Sequence, residues 1–252
     1  MKESFNLIAN AAENKINLLK NNPLGYFIQS ILAGMYIGFG ILLVFTLSGQ
    51  LDGQPYTKLL MGACFACALS LVVIAGAELF TGNNLVMTAG YLNKKITAKN
   101  VIKLWIICWI GNLVGSILLA IIFNLTGLYS GNTLNAVVST AEMKMTAGFI
   151  PLLARGILCN ILVCLAIWSG FRTKSESGKL IMIFWCILAF FTTGFEHSVA
   201  NMTLLSLAMI NNGGNVAITL GGYIYNLLVV TLGNILGGCL FVGLPYYLSQ
   251  KE

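Results

Sequence analysis

Long apolar runs separated by short polar ones fill the chain. Runs 26–47, 101–125, 147–171 and 223–248 each hold the roughly 20 mostly apolar residues that carry one helix across a bilayer core. Two more, 59–92 and 179–210, are longer than thirty residues. A straight helix rises about 1.5 Å per residue, so either would overshoot a core of about 30 Å. Both turn polar near the middle, at Glu78-Leu79-Phe80-Thr81-Gly82-Asn83-Asn84 and at Glu196-His197-Ser198-Val199-Ala200-Asn201. A break inside each run explains its length and its polarity together. The pattern predicts an all-α polytopic membrane protein of six transmembrane helices, with the second and fifth broken.

Residues 1–22 differ from these runs. They are polar and mixed in charge, without the apolar core of a secretory signal. Phe5, Ile8, Ala12, Ile16 and Leu19 recur at spacings of three and four, which predicts an amphipathic helix. Such a helix either lies on the membrane surface and lids a pore or packs ahead of the first span.

Matching landmarks recur about 120 positions apart. Glu78 and Asn83 are echoed by Glu196 and Asn201, and Gly111-Asn112-Leu113-Val114-Gly115 by Gly233-Asn234-Ile235-Leu236-Gly237. Three spans per half is an odd number, so the second half is expected to insert upside down relative to the first. The expected organisation is one transmembrane domain over 1–252, with an N-terminal helix at 1–22. The first repeat then covers 26–125 and the inverted repeat 147–248. Inverted repeats whose broken helices meet near the midplane are the usual setting of a transport site.

Composition agrees with the membrane class. Only 9% of the 252 residues are charged, and mean hydropathy is +0.85. A soluble domain carries roughly a quarter charged residues. Most lysines and arginines cluster before the first span and around 94–103 and 172–179, while the opposite loops hold Lys58 and Lys144. That bias places both termini in the cytoplasm and the protein in the cytoplasmic (inner) membrane. The net +6 is accounted for by this face, and no basic stretch with interleaved aromatics points to nucleic acid. The seven cysteines, Cys64-Phe65-Ala66-Cys67 among them, fall in apolar spans and read as packing; no metal, disulfide or cofactor is expected.

Breaking a helix inside lipid frees backbone groups that must find partners. Glu78 and Glu196 are expected to accept from the freed N–H groups, and Gly82 to supply the φ freedom of a tight loop. Half-helix N-termini aimed at the centre would present positive potential to an anion. His197, the one histidine in the chain, falls inside a span, where an ionisable group usually marks a pathway. Lys144 reads on residues alone as a solvated lysine beside Glu142, able to pair with it weakly.

Three blocks are similar to motifs of the formate–nitrite transporter family, whose members pass formate, nitrite or hydrosulfide. They are Gly76-Ala77-Glu78-Leu79-Phe80-Thr81-Gly82, Gly156-Ile157-Leu158-Cys159-Asn160-Ile161-Leu162-Val163-Cys164-Leu165-Ala166 and Gly194-Phe195-Glu196-His197-Ser198-Val199-Ala200-Asn201-Met202. The resemblance covers nearly the whole chain. It implies an aquaporin-like helical fold assembled as a homopentamer with one pore per subunit. It also implies a cytoplasmic constriction at Leu79, Phe80 and Thr81 facing Phe190, and an outer one at Phe65 and Val163. His197 would stand between them with Thr81 and Asn201 close by, and Lys144 would attract anions. Asn201-Met202-Thr203 and Thr231-Leu232-Gly233-Asn234 look more like the nitrite and hydrosulfide members. The expected function is passive or proton-assisted passage of a small monovalent anion, not an enzymatic reaction. An aquaporin-like channel for neutral solutes is the alternative, although the paired Asn-Pro-Ala loops of aquaporins are absent.

Overall fold

The structure is a computed structural model describing residues 1–250. Helices α1 (Lys2–Asn21), α2 (Pro23–Gln50), α3 (Thr57–Ala75), α4 (Phe80–Leu92) and α5 (Ala98–Leu125) make the first half. Helices α6 (Gly131–Met145), α7 (Phe149–Arg172), α8 (Glu176–Thr193), α9 (Ser198–Ile210) and α10 (Leu220–Gly238) make the second. A π-helical turn (Cys239–Gly243) then leads into α11 (Leu244–Leu248). No strand occurs among the described residues. Helices α2, α3, α5, α7, α8 and the segment Leu220–Leu248 are long and apolar enough to cross a membrane. The chain is a multi-pass membrane protein.

Local chemistry sets the helix ends. Asn22 Oδ1 accepts from the Gly25 N–H with Pro23 opening α2, Thr97 Oγ1 accepts from Asn100 N, and Thr219 Oγ1 from Gly222 N. Each removes one of the unsatisfied donors at a helix start. Helix α2 then packs along α5, and α7 along α10. Both contacts are backbone-close because small residues line them. A Cβ on Gly115 would stand 2.0 Å from the Ile31 carbonyl oxygen, and one on Gly237 2.3 Å from that of Ile157. Any side chain at either glycine would force the two helices apart.

Helix α1 packs against α4 and α2. Its whole stripe, Phe5, Ile8, Ala12, Ile16 and Leu19, is buried together with Ala9. The Phe5 ring meets Trp168 and Tyr247, so this helix is packed into the bundle. Helix α6 occupies the stretch around Lys144, where the sequence predicts only a loop. It turns Val137, Val138, Ala141 and Met145 inward against α2 and α9.

Candidate functional site

Between α3 and α4 the chain runs non-helically over 76–79, and between α8 and α9 over 194–197. Each connector starts on a left-handed glycine, Gly76 at φ +77 and Gly194 at φ +80. Ala77 N–H donates to Val72 O and Phe195 N–H to Phe190 O, both at 3.0 Å, closing the carbonyl end of the preceding helix. The required φ freedom therefore belongs to Gly76 and Gly194. Gly82, expected in that role, sits inside α4 with an ordinary helical backbone.

The backbone freed at each connector is satisfied by asparagines of α5 and α10. Asn112 Oδ1 accepts from Phe80 N–H at 2.9 Å, while its Nδ2 donates to Ser30 O at 2.7 Å and Glu78 O at 2.9 Å. Asn234 repeats this, accepting from Ser198 N–H at 2.9 Å and donating to Gly156 O at 2.8 Å and Glu196 O at 2.9 Å. A further donor of each connector goes to main chain: Glu78 N–H to Gln29 O and Glu196 N–H to Arg155 O. This corrects the expectation for Glu78 and Glu196, whose carboxylates accept nothing from the connector backbone. An amide can donate and accept at once, which a carboxylate cannot, so the Gly-Asn-x-x-Gly motif fills that role.

The two carboxylates instead close ion pairs. Glu78 Oε1 pairs with Lys15 of α1, and its Oε2 accepts from Asn83 Nδ2 at 3.0 Å. Glu196 Oε2 takes Lys144 Nζ of α6 at 2.7 Å and Asn201 Nδ2 at 2.6 Å. Asn83 also reaches Tyr26 Oη at 3.3 Å, and Asn201 reaches Asn226 Oδ1 at 2.9 Å. Lys144 thus pairs with Glu196 rather than with Glu142, which accepts from Asn215 Nδ2 at 2.7 Å. Sequence reasoning missed Lys15, Asn112 and Asn234 as parts of the site. The repeated Gly-Asn-x-x-Gly was a usable signal for the asparagines, and nothing local marked Lys15 among its neighbouring lysines.

His197 caps α9, and its Nδ1 accepts from Ala200 N–H at 3.1 Å. A backbone N–H can only donate, so Nδ1 carries a lone pair and the ring proton of the neutral imidazole lies on Nε2. Nε2 is 2.9 Å from Thr81 Oγ1, in the first turn of α4. This contact joins the N-terminal turns of α4 and α9, both 13 residues long, so the positive ends of two short helices converge on one N–H donor. The imidazole is 4% exposed. Around it lie oily side chains. Phe190 stacks on it at 6.0 Å between ring centroids and meets Phe65 edge-on at 5.9 Å; Val163, Leu79 and Phe80 are buried. Phe80 turns its ring to Trp105 at 6.3 Å, and no ring contact joins it to Phe190. Phe190 is thus in ring contact with Phe65 and with His197.

The description "Formate/nitrite transporter" matches residues 2–248. The chain belongs to the formate/nitrite transporter family. Members of this family are transporters and channels, not enzymes. The chain is 44% identical over 255 aligned positions to the nitrite transporter NirC of Escherichia coli (strain K12), covering 99% of this chain and 92% of NirC. Its structure resembles an FNT family ion channel with a TM-score of 0.94 at 42% identity over the full length of both. It also resembles a pentameric formate channel with formate bound, TM-score 0.79 at 32% identity, covering 90% of this chain and 96% of that one.

Proposed function

We propose that this family member passes small monovalent anions, with nitrite and hydrosulfide ahead of formate, through a pore centred on His197. The observation that carries this reading is the His197 Nε2–Thr81 Oγ1 contact at the meeting of the α4 and α9 N-termini. It offers an anion a hydrogen-bond donor and a positive potential without a fixed charge that would trap it. The names of its relatives, a nitrite transporter and a formate-bound channel, support the substrate class.

On this reading the second and fifth spans are broken helices of two inverted halves. The lysine-rich face is cytoplasmic, the membrane is the inner one, and five copies assemble. Leu79 and Phe80 form one apolar constriction; Phe65, Phe190 and Val163 form the other. Lys144 holds the Glu196 carboxylate neutralised beside the imidazole, so that the pore centre does not repel an anion.

Apolar gates disfavour a dehydrated charge far more than one hydrogen bond offsets. The anion, drawn by that potential, therefore takes a proton from water at the mouth of the gate, leaving hydroxide on the entry side, and crosses as its neutral acid, whose lone pairs the Nε2 donor still favours. His197 orients it and does not surrender its own proton, since Nδ1 is engaged as a cap. The test is flux of nitrite, formate and hydrosulfide into proteoliposomes across a pH series at fixed anion concentration. The neutral fraction grows as pH falls, so flux should rise on acidification and ignore membrane potential. Flux that follows potential and stays flat with pH would show the anion crossing charged.

A further inference from the structure

The turn between α4 and α5 has no part in the pore, yet its chemistry is unusual. Lys94 is the one non-glycine residue with positive φ among the described residues, at φ +58. Lys95 N–H donates to Gly90 O and Lys94 N–H to Tyr91 O, both at 2.9 Å, the paired bonds of a helix end whose left-handed position normally takes glycine or asparagine. A lysine there accepts backbone strain and gains only its ammonium. Beside it opens a pocket of about 500 Å³, lined by Tyr91, Lys94, Lys95, Thr97 and Asn100.

The charge around this pocket is mostly positive. No Asp or Glu occurs between Glu78 and Glu142. Glu13 of α1 lies 3.5 Å from Lys95 as an exposed pair, leaving Lys94, Lys99 and Lys103 exposed. Lys99 and Lys103 are one helical turn apart on α5, and the same face continues into the exposed Ile102, Ile106 and Ile110. A cationic ledge thus runs without interruption into a greasy ridge along a membrane-spanning helix.

We infer that this ledge binds the phosphate of an anionic phospholipid, with an acyl chain of the same molecule lying along the α5 isoleucine ridge. Lysines alone would suit any anion, whereas the adjoining apolar ridge suits a lipid. Each lysine near a membrane surface favours an anionic headgroup by about fivefold.

The test is native mass spectrometry of the full chain in detergent, titrated with dioleoyl phosphatidylglycerol and, in parallel, with the phosphatidylcholine of the same chains. Phosphatidylglycerol should be retained preferentially. Its affinity should fall about fivefold in Lys94→Gly and further in Lys94→Gly/Lys99→Gln/Lys103→Gln. Lys94→Gly suits the backbone it enters, so it should raise the thermal midpoint in lipid-free detergent while weakening lipid binding, a pairing that misfolding would not produce. Lys174→Gln, on another loop of the same face, should retain wild-type binding. Equal retention of phosphatidylcholine, an unweakened triple variant or an equal loss in Lys174→Gln would each overturn the proposal. So would inorganic phosphate competing the lipid away, or a triple variant that loses subunits in place of lipid.

Discussion

Gly76 and Gly194 stand 118 positions apart, as do Glu78 and Glu196, and Asn83 and Asn201. At that same offset Leu79 meets His197, Phe80 meets Ser198 and Thr81 meets Val199. The groups that hold the two connectors are therefore alike: a left-handed glycine, a carboxylate with its lysine, an asparagine beneath. The residues that begin α4 and α9 are not alike. Leu79 gives α4 no side-chain cap, whereas His197 caps α9 and leaves Nε2 for Thr81. The matched residues support the backbone, and the unmatched ones are those the proposed pore assigns to the substrate.

The largest way to break this comparison is to remove the asparagines. Asn234→Ala removes a partner from Ser198 N–H, Gly156 O and Glu196 O; Asn112→Ala removes one from Phe80 N–H, Ser30 O and Glu78 O, where Ser30 O and Gly156 O keep their helical bonds and Glu78 O keeps Cys108 Sγ. With one buried N–H left unpaired at about 1–3 kcal/mol and each lost carbonyl bond worth about 0.5–1.5 kcal/mol, either change should cost about 3 kcal/mol. Thermal unfolding in detergent should show comparable drops. A mild effect of one beside a severe effect of the other would break the equivalence.

Next come the ion pairs. Lys144→Met strands Glu196, whose side chain is 4% exposed against 18% for the lysine, and should cost about 3 kcal/mol. Lys15→Met should cost less, since that pair is wetter at 22% and 9%. Adding Glu196→Gln to Lys144→Met should recover most of the stability; no recovery would mean that Lys144 acts through something other than this carboxylate. The smallest effects come from the glycines. Gly76→Ala and Gly194→Ala should each cost about 1 kcal/mol through backbone strain alone, because nothing lies within 4 Å of either added Cβ. Gly82→Ala should be neutral or stabilise by about 0.5–1 kcal/mol, with Ile167 at a comfortable 3.6 Å. A destabilised Gly82→Ala would return that glycine to the role it was first expected to fill.

These contrasts also explain what could be read in the chain beforehand. Spans are legible because lipid demands long apolar stretches, and α1 because Phe5, Ile8, Ala12, Ile16 and Leu19 keep helical period. His197 stands out as the lone histidine within an apolar run. The job of Asn112 was hidden, since its acceptors Ser30 and Glu78 lie 82 and 34 positions away. Lys15 was hidden likewise, with its partner 63 positions distant. Gly82 was misread because several glycines crowd the motif and only geometry says which is left-handed. Helix α6 escaped because its inward positions Val137, Val138, Ala141 and Met145 are diluted by polar neighbours. Apolar period is a local property, but polar pairing across spans is not.

The most direct test of the central claim gives His197 the side chain of its counterpart. In proteoliposomes, His197→Leu should lower nitrite flux about tenfold or more while the protein stays folded, because one hydrogen bond of about 1.4 kcal/mol is worth that factor in rate. A folded His197→Leu channel that carries nitrite at the wild-type rate, with wild-type dependence on pH, would contradict it.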